Sequence, residues 1–142
     1  MAKAITNGIL FLLLSTVSMA QTGEGRVFHS YLVNTEYGVY LRLNLYDQDV
    51  KVPGHELYGE LPGFLGKENN SFCWLITSCQ VKDGQHATLQ LINDYGSEDL
   101  QASLTCVSDS VYVLRQQKGS TIKVPHKGKW LKLPKTLEFK RK

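Results

Sequence analysis

Four histidines and three cysteines are the residues of this 142-residue chain with the widest chemical repertoire. His29, His55, His86 and His126 lie in separate segments, as do Cys73, Cys79 and Cys106. No two of them stand at CxxC or HxxxH spacing, so no zinc-ligand pattern, and no metal or cofactor, is expected from the sequence. A cysteine nucleophile needs a partnered histidine, and nothing local selects one. His55-Glu56 is the most site-like pair. An enzyme built on this chain requires a polar pocket in which His55 or His86 meets Asp94 or Glu98. The leading reading assigns no catalytic residue and treats the chain as non-enzymatic.

Two other segments carry residues suited to binding. Asn93-Asp94-Tyr95-Gly96-Ser97-Glu98-Asp99 is rich in oxygen donors but lacks the alternating ligands and the terminal glutamate of an EF-hand. It reads as a turn that solvates its own charges or as a recognition loop, with Tyr95 as its binding residue. Lys127, Lys129, Trp130, Lys132 and Lys135 form a basic-aromatic cluster. In a strand, Trp130 and Lys132 share one face, while Leu131 and Leu133 share the other. The leucines make the better core, which places Trp130 outside or at an end, as a contact patch for an anionic partner.

Charge is segregated along the chain. The formal net charge is +3, yet it is unevenly spread. Gln21 to Leu114 holds 5 Lys/Arg against 12 Asp/Glu, whereas Arg115 to Lys142 holds 10 against one. Either the basic end pairs with acidic strands beside it, or it forms a face for an anionic glycan, a lipid headgroup or an acidic protein. No basic-aromatic nucleic-acid motif is present, so no nucleic-acid partner is expected.

These residues must be positioned by strands. Val39-Tyr40-Leu41-Arg42-Leu43-Asn44-Leu45 alternates apolar and polar side chains, the mark of a half-buried strand. Phe72–Val81, Ala87–Ile92, Leu100–Val107, Val111–Gln116 and Thr136–Lys140 are further strand candidates, separated by turn residues. Val81-Lys82-Asp83-Gly84-Gln85-His86 reads as a hairpin turn. Glu56–Leu65 is also assigned to a strand, with Pro62 marking an edge, bulge or bend. Nine to eleven short strands and no amphipathic helix are predicted. Short links favour antiparallel neighbours. The fold class is therefore all-β, a small antiparallel up-and-down barrel that is similar in outline to a lipocalin, with a β-sandwich as the alternative. No early Gly-x-Trp signature is present, so the likeness is one of architecture. In such a strand Cys73 and Cys79 lie about 20 Å apart, and Cys106 is two strands away. All three are therefore expected as small buried hydrophobes rather than disulfide partners.

Residues 1–20 read as an export signal: Lys3, then an apolar run from Gly8 to Leu14, then Ser18-Met19-Ala20 before the cleavage point. Residues 21–142 form one domain, secreted or periplasmic, with no membrane span. The functional expectation is an exported, non-enzymatic binding module for a small apolar ligand inside the barrel or an anionic macromolecule at its rim. The alternatives are an inhibitor or immunity-like protein with a basic C-terminal face, and a small-barrel enzyme.

Overall fold

A computed structural model describes residues 26–142. Twelve strands occur there: β1 (His29–Asn34), β2 (Val39–Asn44), β3 (Val50–Lys51), β4 (Glu60–Leu61), β5 (Gly63–Lys67), β6 (Asn70–Val81), β7 (His86–Asn93), β8 (Asp99–Cys106), β9 (Val111–Gly119), β10 (Lys123–His126), β11 (Lys129–Lys132) and β12 (Thr136–Arg141). Eight of them close into an antiparallel barrel in the order β1-β12-β9-β8-β7-β6-β5-β2. Apart from the β1–β12 pair that closes the ring, every neighbour is also the next barrel strand in the chain, so the meander expected from short links is realised as a closed up-and-down barrel, lipocalin-like in outline. Closure satisfies both edges of the sheet, a requirement for a chain whose strands are this apolar. Residues 1–20, expected as an export signal, lie outside the described residues. No helix among them is long and apolar enough to cross a membrane.

Period-two burial is plain on β7 and β8, where inward Ala87, Leu89, Leu91, Leu100, Ala102 and Leu104 are all buried. An eight-stranded barrel is just wide enough for side chains to fill. Trp74, Tyr112, Phe28 and Phe139 are fully buried in one cluster with Leu32, Leu41, Leu65, Leu89 and Leu104. Side chains thus occupy the interior that the sequence reading offered to an apolar ligand.

Two excursions leave the ring. The first joins β2 to β5. Its strands β3 and β4 pair with each other, and they lie as a flap on the outer wall of β5 and β6. Val52 and Leu61 from the flap bury Phe64, Cys73 and Leu75 from the wall. This covering explains why β5 is buried on both faces, and why Phe72-Cys73-Trp74-Leu75-Ile76 is continuously apolar rather than alternating. The stretch expected as a strand over Glu56–Leu65 instead opens with a 3-10 turn, Glu56–Tyr58. Pro62, which has no N–H to donate, stands where the chain passes from β4 to β5.

The second excursion, β10 and β11, is a hairpin that folds over one end of the barrel between β9 and β12. Ile122, Val124 and Leu133 enter the core as a plug, and the Trp74 indole N–H donates to the Lys123 carbonyl at 2.9 Å. The same end carries the β7–β8 loop, because Ser120 N–H donates to the Asp99 carbonyl at 2.8 Å.

The three cysteines are unpaired, as expected. Cys73 and Cys106 are buried, but Cys79 is only half-buried, which corrects the expectation of three core thiols. It faces inward opposite Leu89, toward the C-terminal end of β6, where it packs against the interior cluster without being enclosed by it.

Candidate functional site

The plugged end of the barrel gathers the aromatic residues. Phe72 on β6 is the hub: its ring centroid lies 5.1 Å from that of Trp130 on β11, edge to face, and 5.8 Å from that of Tyr95 in the β7–β8 loop. Phe72 is 7% exposed, whereas Trp130 and Tyr95 are 53% and 72% exposed. Two large rings therefore stand in solvent on either side of a buried third. Between loop and hairpin they line a cleft of about 210 Å³ with Trp74 at its base. Its polar lining is the Lys123–Glu98 ion pair, at 3.2 Å, together with Asn93 and Ser97.

The loop holds its shape through Asn93, a buried polar residue that ends β7. Its side-chain carbonyl accepts from the N–H groups of Ser97 (2.9 Å) and Glu98 (3.3 Å), and its amide donates to the Ser97 hydroxyl at 3.1 Å. Gly96 turns the loop at φ +72°, a left-handed angle that favours glycine. Replacing Asn93 with alanine leaves two loop N–H groups without their acceptor. The expected cost is about 1–2 kcal/mol in urea-induced unfolding. A fall below a few tenths would mean that the loop is held by other contacts.

Trp130 points outward, as the strand-face argument requires, while Leu131 is half-buried and Leu133 buried on the core side. Register places Pro125 opposite Trp130 and Lys123 opposite Lys132 on the outer face of the hairpin. Lys127 sits in the hairpin turn at φ +51°, and Lys129, Lys132 and Lys135 are exposed. Tyr95 and Trp130 are brought together around Phe72, whereas none of these four lysines lines the cleft. Among the described residues, Lys123 is the one cation of the basic C-terminal segment within salt-bridge distance of a carboxylate. The basic end is therefore largely left to solvent rather than paired with acidic strands. Phe72, Trp74, Glu98 and Lys123 were not legible as cleft residues, because only barrel closure brings their three segments to one end.

A second constellation lies on the outer wall. His55, in the loop between β3 and β4, holds Asp94 of the β7–β8 loop, Nε2 to Oδ1, at 2.7 Å. The contact latches the tip of the flap to the loop that carries Tyr95. Cys73 joins them from β6, so that one ligating atom of each lies within 4.8 Å of the others. The histidine–carboxylate meeting posited for an enzyme thus occurs, between His55 and Asp94. As a nucleophile, however, the thiol is badly placed: burial first, and the Asp94 charge second, push it up to about 12. Reactive cysteines lie well below their ordinary value. His86 pairs instead with Asp83 at 2.9 Å in the exposed β6–β7 turn. There the Gln85 N–H, then the His86 ring, hold the Asp83 carboxyl below its usual range.

Fold and site together define a small closed antiparallel barrel with a wall flap, a plugging hairpin and an aromatic cleft at the plugged end. No protein-family model, curated protein or solved structure matches the chain.

Proposed function

We propose that the protein is an exported, non-enzymatic binding module that grips an anionic macromolecule at the plugged end of its barrel. The observation that carries this reading is the exposure of Tyr95 and Trp130 around Phe72, beside a hairpin whose Lys127, Lys129 and Lys132 have no carboxylate partner among the described residues. Rigid aromatic side chains supply large contact area at small entropic cost. Unpaired lysines around them supply attraction and orientation. Because the barrel interior is filled, the rim rather than the interior serves as the binding surface. Residues 1–20 supply the export signal, and the mature chain begins at Gln21, secreted or periplasmic.

The test uses tryptophan fluorescence as its reporter, since both tryptophans, exposed Trp130 and buried Trp74, line the cleft. Mature protein titrated with a heparin fragment or with polyglutamate, against neutral dextran as control, should show a salt-sensitive change in fluorescence with one of the two anions. Lys129→Glu/Lys132→Glu/Lys135→Glu should weaken that binding about tenfold or more at low salt, with the unfolding midpoint nearly unchanged. Tyr95→Ala should weaken it as well. A response to neither anion, or equal binding by the charge-reversed variant, would remove the reading.

A further inference from the structure

We propose that His55, Cys73 and Asp94 form a zinc site on the outer wall of the barrel, pinning the flap to the β7–β8 loop. The three donors come from three separately anchored segments: the β3–β4 loop, strand β6 near the plugged end, and the β7–β8 loop. The topology converges them within 4.8 Å without any help from local spacing. Imidazole nitrogen, thiolate sulfur and carboxylate oxygen are all zinc donors, whereas calcium and magnesium take oxygen sets.

The dimensions suit the ion. Bonds of about 2.0–2.3 Å at tetrahedral angles separate donor atoms by roughly 3.3–3.7 Å. His55 Nε2 and Asp94 Oδ1 now share a 2.7 Å contact, so the two must part by less than about 1 Å around a cysteine fixed by its strand. Both belong to loops, where such a shift is inexpensive. The Asp94 carboxylate opposes negative charge on Cys73 across this gap. A dication between the two groups turns that repulsion into attraction to a common centre. The side chains of His55 and Asp94 are 16% and 20% exposed, so the ion enters from solvent, and three protein ligands leave the fourth position to water. Cys73 binds as thiolate, and its proton passes to the buffer.

The experiment needs no knowledge of what the cleft holds, so its failure leaves the binding reading standing. The mature chain, stripped with a chelator, is titrated with Zn²⁺ alone by calorimetry in two buffers of different ionisation enthalpy. It is also titrated with Co²⁺, followed by absorbance. The expected result is one equivalent bound with proton release, and a thiolate-to-cobalt charge-transfer band in the near ultraviolet. Cys73→Ser should abolish the band. His55→Asn and Asp94→Asn, both changes in loops, should weaken Zn²⁺ at least about tenfold with the far-ultraviolet circular dichroism unchanged. His86→Ala should leave binding intact. If the wild-type chain gives no charge-transfer band, or if the His86 variant alone loses the ion, the site is overturned.

Discussion

Trp74→Ala is expected to lower the stability of the barrel by about 3–5 kcal/mol. The indole is fully buried in the interior cluster, at the base of the aromatic cleft, and a methyl group leaves most of its volume empty. A filled eight-stranded barrel has little freedom to collapse onto that space, because its radius is set by strand number and stagger. The substitution also removes the N–H that binds the Lys123 carbonyl, so the hairpin plug loses a polar anchor together with an apolar one. Against a total of about 5–15 kcal/mol for a domain of this kind, the loss is large. Urea-induced unfolding provides the measurement, with two comparisons. Trp74→Phe keeps most of the packing and should cost roughly 1–2 kcal/mol, chiefly for the lost hydrogen bond. Trp130→Ala removes a half-exposed ring and should cost less than about 1 kcal/mol. Similar losses at positions 74 and 130 would mean that the plugged end is not packed as described.

Most of the fold was legible because half-buried strands write their faces into the sequence. Alternation in Val39–Leu45, Ala87–Ile92 and Leu100–Cys106 gives the inward set directly, and the inward residues are the buried ones. The turn at Asp83-Gly84 was legible for a local reason too. The Asp83 carboxylate accepts from the N–H groups of Gln85 and His86, so the residues of the turn hold it themselves. Reading failed where burial comes from a distant segment. Leu61 and Val52 look like parts of ordinary strands, yet their task is to roof Phe64 and Leu75 on the outer wall. Two-residue strands such as β3 and β4 have no period to detect. The same contrast divides the sites. Tyr95 and Trp130 were recognisable by side-chain type and strand face. Phe72, which joins them, reads only as core. His55, Cys73 and Asp94 show no ligand spacing, because loops and a strand from different parts of the chain bring them together.

The roofed wall has a consequence in alkali. Cys73 is raised from its ordinary value of 9.0 to about 12, chiefly by burial and then by Asp94. Burial also raises the phenols of Tyr40 and Tyr112. Each is an acid that the fold holds in its neutral form. Above about pH 9 the unfolded chain has lost the Cys73 proton while the folded chain keeps it, so the unfolded state binds fewer protons and stability falls with rising pH. The contribution is fully present below pH 9, declines through the window up to about 12, and levels off once the folded thiol ionises as well. For this thiol alone the decline is at most about 4 kcal/mol, from three pH units at about 1.4 kcal/mol each. Unfolding midpoints between pH 8 and 11, measured with a chelator present, should therefore fall more steeply for the wild-type chain than for Cys73→Ala. The Cys73 charge also raises the Tyr40 phenol, so the difference between the two slopes reports the thiol together with its effect on that neighbour. Parallel curves would place Cys73 in contact with water, and the flap could not then be the roof over it.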